Sequence, residues 1–140
     1  MIVVDASVLA PALGDDDADG DQARSRLKDE TLAAPELIDL EVSSVFRRLV
    51  LAESMPARRA ELALTDLVAL PLHRVAHRAL LQRCWELRSN LTVYDAAYAA
   101  LAEHLNVTLV TADVRLSRAP GLRCQVEVLR PGHVREDPTP

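Results

Sequence analysis

Residues 91–116 read Leu91-Thr-Val-Tyr-Asp95-Ala-Ala-Tyr98-Ala-Ala-Leu101-Ala-Glu-His-Leu105-Asn106-Val-Thr-Leu-Val110-Thr111-Ala-Asp113-Val-Arg-Leu116. The first part has helical spacing. Ala96, Ala97, Ala100, Leu101 and Leu105 share one apolar face. Thr92 is placed to cap it, with Asp95 three residues later as in a capping box. Asn106 can adopt the left-handed conformation that ends a helix. Val107 to Thr111 is β-branched and apolar, the pattern of a short buried strand. One acid, Asp95, thus opens a helix, and another, Asp113, follows a strand. Open α/β sheets collect ligands at the carboxyl ends of their strands. Either acid could instead serve locally, Asp95 as a dipole partner and Asp113 as a turn residue. A functional reading needs further acids arriving at the same place.

The chain begins with a comparable unit. Ile2 to Val4 is a continuous apolar run, as expected of a buried parallel strand, and Asp5 stands at its end. Ser7 begins a short helix that Pro11 and Gly14 should confine. From Pro35 to about Glu53 the spacing predicts a helix with proline in its first turn. Asp39 lies in the polar row Asp39, Ser43, Arg47. Glu41 lies in the row Leu37, Glu41, Val45, Leu49, which is otherwise apolar. A carboxylate in an inward row is costly unless a cation, a metal or hydrogen-bond donors meet it. The alternative is a half-exposed position at the edge of the row.

Other segments complete the outline. A strand is expected at Leu32 to Ala34 and a helix at about Gln22 to Asp29, capped by Asp19 or Asp21. Further helices are expected at Ala57 to Val68 and Arg74 to Ser89, with a strand or extended link at Leu70-Pro71-Leu72 between them, and a last strand at Gln125 to Leu129. This alternation gives a three-layer α/β domain over residues 1–130, with a mainly parallel central sheet flanked by helices. Residues 131–140 form a polar, proline-rich tail.

Composition narrows the class. With 49% hydrophobic and 26% charged residues, the 140-residue chain should be globular with a single core. The net charge of −5 excludes a broad basic face for nucleic acid, but not contact with phosphates through a metal and a few arginines. Of the 16 lysines and arginines only Lys28 is a lysine, which leaves lysine-dependent chemistry almost without a candidate. No leader segment or membrane span is expected, which places the protein in the cytoplasm. Cys84 and Cys124 fit free thiols in a reducing compartment.

Three weaker motifs resolve to structural roles. The acidic run Asp15 to Asp21 resembles the start of a calcium loop, but its twelfth position is Arg26 where a bidentate glutamate is required. His73 and His77 are four apart without the glutamate or third ligand of a zinc site. Phe46, Trp85, Tyr94 and Tyr98 are few and dispersed, and are expected in the core or at its edge rather than as a base-stacking platform.

Asp5, Glu41, Asp95 and Asp113 therefore form a set. Carboxylates brought together raise one another's pKa values unless a cation neutralises them. An oxygen-only set favours a hard ion, Mg²⁺ with Mn²⁺ as the alternative. Such an ion activates water and clamps a phosphate oxygen. Ser7 and Thr111 add hydroxyls at the same strand ends.

At these residues the chain resembles the PIN-domain ribonucleases, and among them the VapC toxins of bacterial toxin–antitoxin pairs. The resemblance is carried by Ile2-Val3-Val4-Asp5-Ala6-Ser7, by Pro35-Glu36-Leu37 through Glu41-Val42 to Arg47-Arg48, by Leu91-Thr92-Val93-Tyr94-Asp95-Ala96 and by Leu109-Val110-Thr111-Ala112-Asp113. It spans residue 1 to about residue 129. It implies a Mg²⁺-dependent endoribonuclease that cleaves RNA, is inhibited by a cognate VapB-type antitoxin and forms a homodimer. It further implies that Asp5, Glu41, Asp95 and Asp113 are the acidic quartet, with Asp5 and Asp95 as direct metal ligands. Ser44 stands where an asparagine is frequent in the family. Arg47, Arg48, Arg58 and Arg59 are candidates for phosphate or antitoxin contacts. Among rivals, a receiver domain needs a lysine at a late strand end, and a haloacid-dehalogenase-type phosphatase needs an aspartate where Ser7 stands. A noncatalytic PIN-like RNA- or protein-binding module is the remaining alternative.

Overall fold

A computed structural model of the chain describes residues 1–130. The tail expected at 131–140 lies outside the described residues. Five strands form one sheet, β1 (Ile2–Val4), β2 (Leu32–Pro35), β3 (Leu72–Val75), β4 (Leu109–Thr111) and β5 (Val126–Val128). Their spatial order is β3-β2-β1-β4-β5 and every pairing is parallel. The mainly parallel sheet expected from the sequence is thus wholly parallel. Such sheets need cover on both faces. Among the described residues it comes from seven helices, α1 (Ala6–Gly14), α2 (Ala18–Leu27), α3 (Ile38–Leu51), α4 (Ala57–Ala69), α5 (Leu81–Glu86), α6 (Val93–Leu105) and α7 (Val114–Arg118).

The strand order has one functional consequence. The chain leaves β1 for β2 and β3 on one side, then returns to β4 and β5 on the other. The reversal lies between β1 and β4, where such sheets open a crevice at their carboxyl ends. Val3 is in register with Leu109 and Val4 with Val110. That register carries Asp5 up beside Thr111.

Helix α6 is the central cover. Ala96 to Ala102 are all buried, so the single apolar face expected from the sequence is in fact buried nearly all round. Its alanines leave room for close approach to β1, β2 and β4. Thr92 accepts a hydrogen bond from the Asp95 backbone N–H at 3.2 Å, and Asn106 closes the helix at φ 56°. In α3 the buried row is Ile38, Val42 and Phe46.

Several boundaries differ from expectation. Pro35 is the last residue of β2, so α3 starts at Ile38 after a turn. The expected helix from Arg74 to Ser89 is broken, because Leu72–Val75 pairs with Leu32–Pro35 and only Leu81–Glu86 is α-helical. Sheet pairing here overrides the local pattern. Helix α1 continues past Pro11 to Gly14, where a Cβ would lie 2.7 Å from Phe46 Cε1. Helix α2 begins at Ala18 rather than Gln22, with Asp19 and Asp21 in its first turn, where the helix dipole favours them. Helix α7 takes the place of the simple turn expected after Asp113.

The acidic run around Gly20 has a packing role. A Cβ on Gly20 would lie 1.8 Å from the Asp15 carbonyl oxygen. Arg24 then donates to the carbonyls of Asp15 at 2.7 Å and Ala12 at 3.1 Å, closing the end of α1. Both cysteines are free, Cys84 buried and Cys124 partly so. No helix among the described residues is long and apolar enough to cross a membrane.

Candidate active site

Asp5 is the most firmly held of the four acids. It is buried, and its Oδ1 accepts the Ala6 N–H at 2.9 Å. Its Oδ2 accepts Ser7 Oγ at 2.7 Å and Thr111 Oγ1 at 2.8 Å. The two hydroxyls accept in turn from the backbone of the β4 end, Ser7 Oγ from Ala112 N at 2.9 Å and Thr111 Oγ1 from Asp113 N at 3.0 Å. Two strand ends far apart in the chain are thereby tied to one carboxylate. Ser7 and Thr111, expected near the strand ends, are the residues that orient Asp5.

Glu41 projects from the first turn of α3 and is half-buried. Its Oε1 accepts the Tyr98 hydroxyl at 2.7 Å. Burial pushes its pKa above the ordinary carboxylate value, the Tyr98 bond opposes this, and the charges of Asp5 and Asp95 add to the rise. Asp39, also half-buried, instead accepts from Arg74 Nε at 2.7 Å. The position of Glu41 is an edge of the core, since Leu49 on the same row is 38% exposed.

Asp95 sits in the first turn of α6. Its pKa is also raised, first by burial and then by the charge of Asp5, with a smaller contribution from Asp113. Thr92 and Arg115 act in the opposite direction. Asp113 differs from the other three. It caps α7 by accepting the Arg115 N–H at 2.9 Å, and the Arg115 guanidinium donates to both its oxygens at 3.2 and 3.0 Å. That guanidinium holds its carboxyl below the usual range.

Glu41 thus feels the charges of Asp5 and Asp95, and Asp95 those of Asp5 and Asp113. Asp95 and Asp113 line one open cleft of about 470 Å³, together with Arg88, Asn90, Thr92 and Arg115. The four side chains share a neighbourhood but do not close into a shell. Among the described residues, no three His, Cys, Asp or Glu side chains are gathered tightly enough to hold an ion by themselves. The donor chemistry still fits a hard divalent ion. Magnesium is commonly held by one or two carboxylates, its own waters and substrate phosphates rather than by an all-protein cage. Two carboxyls with raised pKa values around a third are the electrostatic condition such an ion relieves.

Tyr98 was grouped with the core residues and is indeed fully buried, but it also holds Glu41. Its spacing of three from Asp95 on one helix was the available signal. Trp85 and Tyr94, expected in the core or at its edge, are instead 63% and 64% exposed. Arg47, Arg48 and Arg58 are exposed, whereas Arg59 is engaged with Asp16 at 3.0 Å and the Leu13 carbonyl at 3.0 Å. The zinc pair is excluded by topology, with His73 inside β3 and His77 beyond its end.

Comparison with known proteins gives the family. Residues 2–122 match the PIN domain. Ribonuclease VapC1 of Mycobacterium tuberculosis is 41% identical over 91% of this chain and 97% of its own. Ribonuclease VapC9 of the same organism is 43% identical over 92% and 98%. In structure, the Mycobacterium tuberculosis toxin VapC20, described as cleaving the sarcin–ricin loop, superposes with TM-score 0.70 at 17% identity, covering 94% of this chain and 100% of its own. VapBC2 of Rickettsia felis, bound to a promoter DNA fragment, gives TM-score 0.64 at 20% identity over 91% and 98%. At those identities the two structures speak for the fold, and the sequence relatives speak for the family. With its strand-end acids, its wholly parallel sheet and relatives matched over nearly their full length, the chain belongs to the PIN-domain family and, within it, to the VapC ribonucleases.

Proposed function

We propose that this protein is a metal-dependent endoribonuclease and the toxin of a VapBC-type pair, cleaving RNA phosphodiester bonds with Mg²⁺ or Mn²⁺ and silenced by a cognate antitoxin. The observation that carries it is the set of three mutually repelling carboxylates, Asp5, Glu41 and Asp95, at the sheet's reversal point, in a chain related to named ribonucleases. Asp5 and Asp95 would hold the ion directly, with Glu41 and Asp113 completing the site. When bound, the ion supplies a water of lowered pKa and neutralises charge on the phosphate. The chain's own work is positional. Ser7 and Thr111 keep Asp5 in place before anything binds. Tyr98 holds one oxygen of Glu41, and the other accepts no protein donor among the described residues. Arg115 is 88% exposed at its side chain, so its surface pair with Asp113 is cheap to break and can be exchanged for a phosphate contact.

A homodimer in the cytoplasm belongs to the same proposal. Leu40, Leu51 and Val68 on α3 and α4 offer exposed apolar surface for it. The engagement of Asp113 by Arg115 favours one rival, a noncatalytic PIN-like module that binds RNA or protein. Incubating the pure chain with structured RNA decides between them. Cleavage in Mg²⁺ or Mn²⁺, absent in chelator and in Asp95→Asn, is expected. Binding without metal-dependent cleavage across many RNAs would leave only the binding module.

A further inference from the structure

The four aromatic residues of this chain divide sharply. Phe46 and Tyr98 are buried, while Trp85 and Tyr94 stand in water at 63% and 64% exposure. A chain with one tryptophan, one phenylalanine and two tyrosines has little aromatic surface to spare for solvent. Neither ring lines the cleft itself, but each neighbours a residue that does. Tyr94 directly precedes Asp95 and lies one helical turn before Tyr98, whose hydroxyl touches Glu41. Trp85 lies beneath Arg88, and Arg88 lines the cleft with Asp95 and Asp113.

The Trp85–Arg88 pair is built rather than incidental. The Arg88 guanidinium carbon is 4.7 Å from the centre of the Trp85 ring. Its Nη1 also donates to the Trp85 carbonyl at 2.9 Å. An exposed arginine is thus held at two points, and among the described residues it pairs with no carboxylate. Its charge remains free for a ligand. A planar cation over an indole beside a second cation, Arg115, suits a polyanion that carries flat rings. Single-stranded nucleic acid is that ligand, because every base has a face to stack and every linkage a negative charge. The net charge of −5 makes this attraction local, since the molecule as a whole repels RNA.

We propose that Trp85 with Arg88, and Tyr94 next to Asp95, form a base-stacking subsite that holds unpaired RNA nucleotides beside the scissile phosphate. The subsite rests on the ribonuclease reading given above and adds to it the residues that would seat the bases. Because Trp85 is the only tryptophan, its emission reports the contact directly.

The test uses the whole protein in chelator, so that cleavage is off. A short unpaired RNA oligonucleotide with a fluorescent end label is titrated while Trp85 emission and label anisotropy are followed. Quenching of Trp85 that saturates together with anisotropy is expected. Trp85→Leu, Arg88→Ala and Tyr94→Ala should each weaken RNA binding about tenfold. In Mn²⁺ they should raise KM with kcat nearly unchanged, and Trp85→Phe should recover most of the loss. RNA that binds without changing Trp85 emission overturns the proposal, as does wild-type affinity in Trp85→Leu. Emission that responds to co-purified antitoxin but not to RNA also overturns it and gives the surface to the protein partner. Quenching without any metal-dependent cleavage would keep the subsite and remove the nuclease reading, so the two can fail separately.

Discussion

Asp95 feels the charge of Asp5, yet the two should answer neutralisation with opposite signs. Asp5 accepts three donors, and an asparagine would turn an NH₂ group toward some of them. Asp5→Asn should therefore lower stability by about 1–3 kcal/mol, the cost of leaving buried partners unpaired. Asp95 carries a raised pKa, so folding disfavours its charge. For such an acid, stability falls as pH rises from the unfolded-state value, and the deficit is complete above the folded-state value. Asp95→Asn should raise the unfolding midpoint of the metal-free protein at neutral pH, by about 1 kcal/mol or less after solvent screening. The gain should shrink as pH falls through the raised folded-state value and be gone below 3.8, Asp95's ordinary value. Thermal unfolding across pH in chelator measures both. With Mn²⁺ added, only the wild type should gain. Tyr98→Phe is the companion change. The Tyr98 bond lowers the pKa of Glu41, so its loss should move the acid limb of the pH–rate profile to higher pH, alongside roughly 1–2 kcal/mol of lost stability. An unmoved limb would mean that Glu41 does not titrate in the reaction.

Among the elements, α6 was the most legible. Its cap, its left-handed stop and the strand after it all lie within 26 consecutive residues, and each follows from local chemistry. The segments that were misread are those where a distant partner decides. Leu72–Val75 is a strand because β2 lies beside it, and Trp85 stands on a face of α5 that no other element covers among the described residues. The link between α1 and α2 shows the same dependence. Its acids and glycine suggested half a calcium loop, whereas the glycine is required by the Asp15 carbonyl against which it packs. Gly20→Ala should cost about 1–3 kcal/mol by overpacking, read as a lowered denaturant midpoint. Calcium should leave the wild-type midpoint unchanged.

At the scale of the molecule, the site is a seam between two halves of the sheet. The hydroxyls of Ser7 and Thr111 join the ends of β1 and β4 through Asp5. Thr111→Val keeps the shape and removes both hydrogen bonds of its hydroxyl. It should cost about 1–3 kcal/mol and weaken Mn²⁺ binding roughly tenfold, since groups that orient a ligand contribute on that scale. Calorimetric titration with Mn²⁺ checks it, and unchanged affinity would show that Asp5 needs no such support.

The sequence by itself determined the alternation of strands and helices, the strand-end positions of Asp5 and Asp113, the helix-opening position of Asp95 and the anomaly of Glu41. These depend on periodicity, capping and the cost of a carboxylate in an apolar row, all of which are local. Only the tertiary structure decided that β1 and β4 are neighbours, that Tyr98 holds Glu41, that Arg115 engages Asp113 and that Trp85 and Tyr94 remain in water. Each of these depends on which surfaces the sheet order and helix packing leave covered or open, and no short window of residues contains that information.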